Sequence, residues 1–412
     1  MAQKMDVWWR RVIHRGNKRA ALLVGDTGAI LFVCFFTLSS SFSSIPARAD
    51  GGAPNLAYVS GTTDGISVID VGQAKVTKTL VVPGDPLTIL LSSDGRYLYI
   101  TQPAVDQVSV IAARTGRIVC STHVAGEPTL LTLDLTANIL FAAGNGAPDV
   151  SAIDPTNCKV LRSFVTRTPV YGLTLASPGT GLAAGNGTQL WVAGTQSLLV
   201  FNARTGQLLA TIPLLDGPQY LTAPPGDMVY ATTRQGSVDA INFKTQEVRQ
   251  LITGGQFGPM DYDALDSEVY VPDERHHVLD VLTPITASTT TLPPEPNRLI
   301  PTGSVPESVA ITNDGLLGFV ALQGGKVAMY DLIDRQLAFT VSVGGTPHFV
   351  ITGLYPPTSD IAPTPTPGTP SSSPGQSVTD GAIIILVVAL LVICLFSGMF
   401  LAILQARRNR RS

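Results

Sequence analysis

Short stretches in which apolar residues alternate with other residues recur along the chain, and polar stretches rich in glycine and proline separate them. The clearest examples are Tyr97-Leu-Tyr-Ile-Thr101 and Gln107-Val-Ser-Val-Ile111. A period of two predicts half-buried β-strands. The turns Arg114-Thr-Gly116 and Gly126-Glu-Pro128 separate these strands from the ones that follow. The stretch is therefore expected to form a short antiparallel sheet.

This unit of about forty residues recurs seven times. The apolar or aromatic strand start appears at Leu56, Tyr97, Ile139, Gln189, Met228, Glu268 and Leu317. The proline that opens the following strand also occurs seven times, with most of the successive prolines 41 or 42 residues apart: Pro86, Pro128, Pro169, Pro218, Pro259, Pro306 and Pro347. Four strands in a repeat of this length are typical of a β-propeller blade. The sequence therefore predicts an all-β, seven-bladed β-propeller.

Several of these segments resemble the YVTN-repeat β-propellers. The resemblance is carried by Leu98-Tyr-Ile-Thr101, Val108-Ser-Val-Ile111, and the turns Ser92-Ser-Asp-Gly95 and Thr312-Asn-Asp-Gly315. It covers Leu56 to about Leu354, and it implies the fold much more specifically than any function, because one fold hosts many unrelated sites.

The two ends of the repeat array predict how the ring closes. The first copy, from Leu56, lacks an innermost strand, and the last segment, Pro347-His-Phe-Val-Ile-Thr352, has no blade after it. Pairing the two gives a blade of one C-terminal and three N-terminal strands, which removes the open edges of the array. We expect residues 50–354 to form this single closed domain.

The N-terminal segment predicts export. Basic residues precede the apolar run Gly28 to Leu38, and small residues follow up to Ala47-Arg-Ala49. These are the three parts of a secretory signal peptide. Residues 1–49 are therefore read as a signal peptide cleaved after Ala49, with an uncleaved signal anchor as the alternative.

The C-terminal segment predicts membrane attachment. Residues 355–380 are rich in proline, serine and threonine and are typical of an extended stalk. Residues 381–405 contain an uncharged apolar run long enough to form a transmembrane helix, and the arginines of the tail 406–412 indicate the cytoplasmic side. We therefore expect a single-pass protein of the cell membrane with the propeller outside and the C-terminus cytoplasmic.

Composition narrows the possible partners. The net charge of −3 offers no basic footprint, so no nucleic-acid partner is expected. The sequence contains no motif for a cofactor or a metal, and we expect neither. Of the four cysteines, Cys120 and Cys158 fall in the exported ring, where an oxidising compartment permits a disulfide between them. Their spacing alone leaves that disulfide open.

A candidate binding site follows from the family resemblance. It implies that the innermost strands begin at the mouth of a central channel, so the first two residues after each repeat proline line that mouth. One side of the mouth is then apolar, and the other gathers polar groups: Tyr171, Tyr220, Asp261, Glu307 and His348, with Arg275 and His276 on a nearby loop. Aromatic and ionisable groups at a concave mouth suggest ligand binding. The alternative is that they only hydrate a water-filled channel.

Three functions remain open at this stage. The first is a membrane-anchored binding or scaffold module for a protein or small ligand outside the cytoplasm, and this is our prediction. The second is an enzyme, lactonase-like or dehydrogenase-like, with its site at the channel mouth. The sequence contains no recognisable catalytic constellation, so we predict that the chain is not an enzyme. The third is a surface adhesion protein, suggested by the stalk.

Overall fold

The computed structural model describes residues 55–177 and 187–356, which form 28 strands in seven four-stranded antiparallel sheets. Blade 1 is β1 (Leu56–Thr62), β2 (Gly65–Asp70), β3 (Lys75–Val81) and β28 (Val350–Gly353). Blade 2 is β4 (Ile89–Leu91), β5 (Tyr97–Gln102), β6 (Gln107–Ala112) and β7 (Ile118–His123). Blade 3 is β8 (Leu130–Asp134), β9 (Ile139–Ala143), β10 (Asp149–Asp154) and β11 (Lys159–Val165).

The remaining four blades repeat this order. Blade 4 is β12 (Gly172–Ala176), β13 (Gln189–Ala193), β14 (Ser197–Asn202) and β15 (Leu208–Pro213). Blade 5 is β16 (Pro218–Thr222), β17 (Met228–Thr233), β18 (Ser237–Asn242) and β19 (Val248–Thr253). Blade 6 is β20 (Asp261–Asp263), β21 (Glu268–Asp273), β22 (Val278–Leu282) and β23 (Arg298–Pro301). Blade 7 is β24 (Pro306–Ile311), β25 (Leu317–Leu322), β26 (Lys326–Asp331) and β27 (Gln336–Ser342). The predicted seven-bladed propeller is confirmed.

The ring closes through the strand that lies last in the chain. The strand β28 pairs with β1 from Leu56 opposite Gly353 to Val59 opposite Val350, so blade 1 has the order β28-β1-β2-β3. The backbone N–H of Thr346 also donates to the carbonyl oxygen of Gly61 at 2.8 Å. One C-terminal and three N-terminal strands therefore share a blade.

The second and third strands of the blades are buried on both faces, which corrects the expectation of half-buried strands. In β5, Leu98 and Ile100 pack against blade 1, while Tyr99 between them packs against blade 3. The physical reason is that each sheet lies between two neighbouring sheets, so both faces meet apolar side chains. The outermost strands are more exposed, since Lys75–Val81 places most of its side chains in solvent.

The hydrophobic core is divided among the interfaces between blades. Seven clusters of buried side chains correspond to the seven pairs of adjacent blades. Between blades 3 and 4 the rings of Phe141, Phe164 and Phe201 pack edge to face, with centroids 5.7 and 5.6 Å apart. Each blade packs against both of its neighbours, and these contacts fix the positions of the inner strands that line the channel.

Some innermost strands are shorter than the sequence predicts. The strand expected from Pro86 begins at Ile89, and the strand expected from Pro347 begins at Val350. Proline has no backbone N–H, and the register also shifts after Pro218 and Pro306. The residues that follow the prolines lie at the rim of the channel, where Leu87, Thr129 and Tyr171 still donate their N–H groups to the second strand.

A disulfide joins the outer parts of blades 2 and 3. Cys120 lies in β7, Cys158 lies just before β11, and their Cα atoms are 5.8 Å apart. The bond closes a segment of 38 residues. It therefore connects neighbouring blades near the circumference, whereas the shared core connects them further in.

The predicted export and membrane segments fall outside the described residues. These are the signal region 1–49, nearly all of the stalk 355–380, the apolar segment 381–405 and the tail 406–412. Within residues 55–177 and 187–356, no helix has the length and apolar character needed to cross a membrane.

Candidate functional site

The inner strands of the seven blades surround a channel with a volume of about 790 Å³. All seven inner strands begin at the same end of this channel. The side chains at that end are polar on one side, and we call this group the upper mouth: Tyr171, Gln219, Tyr220, Glu274, Glu307 and His348. All six are half-buried. They converge on one space while remaining open to solvent.

The repeat prolines and close contacts between blades position the upper mouth. The N–H of Tyr171 donates to the carbonyl oxygen of Ala193 at 2.8 Å, which fixes the residue two positions after its proline against the second strand. A Cβ at Gly172 would overlap the carbonyl oxygen of Gln219, so only glycine lets these two inner strands approach so closely. Gly61, at φ +74°, likewise leaves room for Thr346 and the His348 ring.

Glu307 and His348 form a charge pair across the seam between blades 7 and 1. Nδ1 of His348 lies 3.8 Å from Oε2 of Glu307, and Nε2 of Gln323 donates to Oε1 of Glu307 at 2.7 Å. Pairing with His348 lowers the pKa of Glu307, and the same pairing raises the pKa of His348, to which Asp85 also contributes. The pair is therefore most strongly ionised in mildly acidic to neutral solution.

Tyr220 and Glu274 add a second group to the upper mouth. Burial raises the pKa of the Tyr220 phenol, and the negative charges of Glu274 and Glu307 raise it further. Burial also raises the pKa of Glu274, and the nearby Glu307 carboxylate adds to the effect. The amide of Gln256 donates to Glu274. Two carboxylates and a phenol thus share one partly desolvated space.

Arg234 stacks on Tyr171 at the blade 4 side of the upper mouth. Its Cζ atom lies 4.0 Å from the centroid of the Tyr171 ring, within the range of a cation–π contact. The guanidinium also donates to the carbonyl oxygens of Thr195 and Pro218. Arg234 therefore fixes the orientation of the tyrosine ring, and its own donors are engaged with the protein.

Asp261 lines the channel but holds the two neighbouring blades together. It is 3% exposed, and its carboxylate accepts hydrogen bonds from the N–H groups of Tyr262 at 2.8 Å and Ile311 at 2.6 Å. The bond from Ile311 joins the inner strands of blades 6 and 7. Nearby Asp263, the last residue of β20, is fully buried, and burial raises its pKa.

Arg275 and His276 lie on the loop between β21 and β22, as the sequence predicted, and do not belong to the channel lining. The buried carboxylate of Asp273 accepts the N–H groups of Arg275 and His276 at 2.9 and 3.2 Å. Its other oxygen lies 2.6 Å from Nδ1 of His276, while Arg275 donates to the carbonyl oxygen of Gly254. This tight turn directs Glu274 into the channel instead.

Glu274 and Arg234 are the residues that sequence reasoning missed. Both lie in loops between the second and third strands, at the end where the inner strands begin. Aligning these loops blade by blade would have identified the two positions. The choice of Glu274 over its neighbours depends on the hydrogen bonds of Asp273, which no sequence pattern marks.

The rest of the lining mixes apolar side chains, many of them leucines, with threonines and serines. Leu87, Leu130 and Phe349 face the polar half of the upper mouth from the opposite side, and leucines continue the surface down the channel. Within the described residues, no three or more His, Cys, Asp or Glu side chains are grouped so that they could hold a metal ion. The channel therefore offers an amphipathic surface with its charges concentrated at one end.

Known proteins resemble this chain in fold. No protein-family model matches it, and no curated protein matches it in sequence. A putative 6-phosphogluconolactonase from Bacteroides uniformis is 16% identical, with a TM-score of 0.56 over 72% of this chain and 99% of that one. The Cps50 (Swd1) propeller domain of Myceliophteria thermophila is 17% identical, with a TM-score of 0.53 over 65% and 89% of the two chains. Dihydro-heme d1 dehydrogenase NirN is 12% identical, with a TM-score of 0.52 over 76% and 78%. Likeness at these identities shows the β-propeller fold alone.

Proposed function

We propose that the chain is a binding module, a β-propeller of the YVTN-repeat type that takes a small ligand at the upper mouth. The observation that supports this most directly is the convergence of Tyr220, Glu274 and Glu307 on one half-buried space. Shifted pKa values in a cleft favour a functional site over a purely structural surface. Asp261, which the sequence also predicted at this site, accepts hydrogen bonds from backbone N–H groups and stabilises the packing of blades 6 and 7.

In this proposal the module is held outside the cell membrane. Residues 1–49 direct export, residues 355–380 form a stalk, residues 381–405 cross the membrane once and residues 406–412 remain cytoplasmic. The disulfide between Cys120 and Cys158 supports an oxidising compartment. Added protease on intact cells should cut the propeller and leave a tag on the C-terminal tail intact, and a protected propeller would refute this orientation.

One observation favours a catalytic alternative. Nε2 of His348 lies 3.3 Å from Oγ1 of Thr346, while Nδ1 faces Glu307, so a hydroxyl, an imidazole and a carboxylate are aligned. The raised pKa of His348 keeps a larger fraction of the imidazole protonated near neutrality, and a protonated imidazole cannot accept the hydroxyl proton. Binding is therefore the better supported function. Lactone hydrolysis by the full chain that disappears in Thr346→Val would replace it with an enzyme.

A ligand screen tests the binding proposal. We would measure thermal unfolding of the full chain with metal ions, sugars, lactones, peptides and cell-wall fragments. A ligand at 100 times its dissociation constant should stabilise the fold by about 2.7 kcal/mol. The stabilisation should be lost in Tyr220→Ala and kept in Asp266→Asn, an exposed site at the opposite end of the channel. If ligands stabilised both variants equally, the upper mouth would not be their site.

Protein partners are the other outcome of the screen. Cps50 (Swd1) carries a propeller domain of similar fold, and propellers of this shape also serve as scaffolds. If no small molecule stabilises the chain, the proposed ligand site fails and the scaffold function remains. A tagged full chain recovered from crosslinked cells would then identify the partner bound to the blade rims.

A further inference from the structure

Most of the ionisable side chains along the channel are acidic. Among the described residues that line it, the carboxylates are Asp134, Asp261, Glu274 and Glu307, and the only basic group is His348, because neither lysine nor arginine is present in the lining. Asp134 and Asp261 accept backbone N–H groups, so their charges are already partly compensated. The uncompensated negative charge therefore concentrates at the upper mouth.

The carboxylates of Glu274 and Glu307 have few positively charged partners. Glu307 is paired with His348, which carries a charge only when protonated. The hydrogen-bond donor to Glu274 is the neutral amide of Gln256. Two carboxylates that raise each other's energy in a half-buried space would both be stabilised by an added cation.

The surface beside these carboxylates is apolar and aromatic. Tyr220 lines the channel close to both glutamates, whose negative charges help to raise the pKa of its phenol, and Leu87, Leu130 and Phe349 also line the mouth. Further leucines continue the lining below them. A cation with an apolar body would therefore find both a charged end and a hydrophobic wall in the same channel.

We propose that the upper mouth binds an organic cation, with its ammonium group between Glu274 and Glu307 and its apolar body against the channel wall. The inference rests on the proposed function and names the ligand class of the same site. Phosphorylated and other anionic ligands fit poorly, because the guanidinium of Arg234 is stacked on Tyr171 and donates to backbone carbonyls, while that of Arg275 donates to the carbonyl oxygen of Gly254. The channel would repel their charge.

Three probes of matched size test the ligand class. We would measure binding of hexylammonium, hexanol and hexanoate to the full chain by isothermal titration calorimetry at mildly alkaline pH. Hexylammonium should bind tightest, and its affinity should fall about tenfold or more in Glu274→Gln and in Glu307→Gln, the loss expected for one charged hydrogen bond. Asp266→Asn removes the same charge at the other end of the channel and should bind like the parent.

The outcomes separate the ligand class from the site. If hexanol or hexanoate binds as tightly as hexylammonium and Tyr220→Ala abolishes that binding, the site stands and the cation is refuted. If Asp266→Asn weakens the binding of hexylammonium as much as Glu307→Gln does, the affinity depends only on net charge, and the specific site is refuted. If none of the probes binds at millimolar concentration, the cation proposal fails, and the ligand screen described above decides separately whether the upper mouth binds another class of small ligand.

Discussion

Removal of the Cys120–Cys158 disulfide should cost the propeller a large part of its stability. The bond closes a segment of 38 residues, and chain-entropy reasoning for a loop of that length gives about 4 kcal/mol at room temperature. We therefore expect the double variant Cys120→Ala/Cys158→Ala to lose about 3 to 4 kcal/mol in free energy of unfolding. Both sites also pack in the core between blades 2 and 3, but alanine removes little volume there.

Urea unfolding of the full chain measures this loss, with the fluorescence of buried Trp191 as the signal. The parent protein with added reductant should unfold at the same urea concentration as the double variant. The matched control is Ser121→Ala/Ser163→Ala, two exposed positions on the same outer strands, which should stay within about 0.5 kcal/mol of the parent. A loss below about 1 kcal/mol in the cysteine variant would refute the role given to the bond.

Three further predictions concern single side chains. The hydroxyl of Tyr230 accepts the N–H of Ile285 at 2.7 Å, so Tyr230→Phe should cost about 1 to 3 kcal/mol in urea unfolding by leaving that donor unpaired; no change would show that water replaces the hydroxyl. Burial raises the pKa of Asp280 to about 7, so stability should fall as pH rises from about 4 towards that value. The gain in melting temperature of Asp280→Asn should therefore grow over this range, and a constant gain would contradict the reasoning. Glu307→Gln should lower the pKa of His348 in an NMR titration, because Glu307 is the main cause of its rise; an unchanged pKa would show that the pair does not form in solution.

The Glu307–His348 pair also has a defined pH window. The pKa of His348 is raised, so its contribution to stability is complete at low pH and is lost as pH rises through the folded value. The pKa of Glu307 is lowered, so its contribution is complete at higher pH and is lost as pH falls through the folded value. The pair therefore stabilises most between about pH 4.3 and 6.5, the ordinary values of the two groups.

The ring itself could be predicted from the sequence because its signals are local and repeated. Seven prolines and seven strand starts each mark one blade, and an error in one copy leaves the count intact. The positions after the prolines could also be predicted, because the family resemblance places the start of each inner strand at the mouth of the channel. Tyr171, Tyr220, Glu307 and His348 do line the channel for this reason.

The details that sequence reasoning could not supply depend on contacts between distant residues. The second strands are buried on both faces because each lies between two neighbouring blades. Successive side chains therefore alternate between two hydrophobic cores rather than between a core and solvent. The role of Asp261 depends on an N–H in the next blade, at Ile311. The pairing of Cys120 with Cys158 depends on a Cα separation of 5.8 Å that their spacing in the chain does not fix.

The upper mouth and the closure of the ring depend on the same contacts. His348 precedes β28, and its N–H donates to the carbonyl oxygen of Ser60 in β1 at 3.2 Å. Its partner Glu307 belongs to blade 7, so the charge pair spans the seam where the last strand completes the first blade. A cation that binds Glu307 must share that carboxylate with His348, so its affinity depends on the ionisation of a residue at the seam. Variants of either residue therefore have to be compared for ring stability before a loss of binding is assigned to the site.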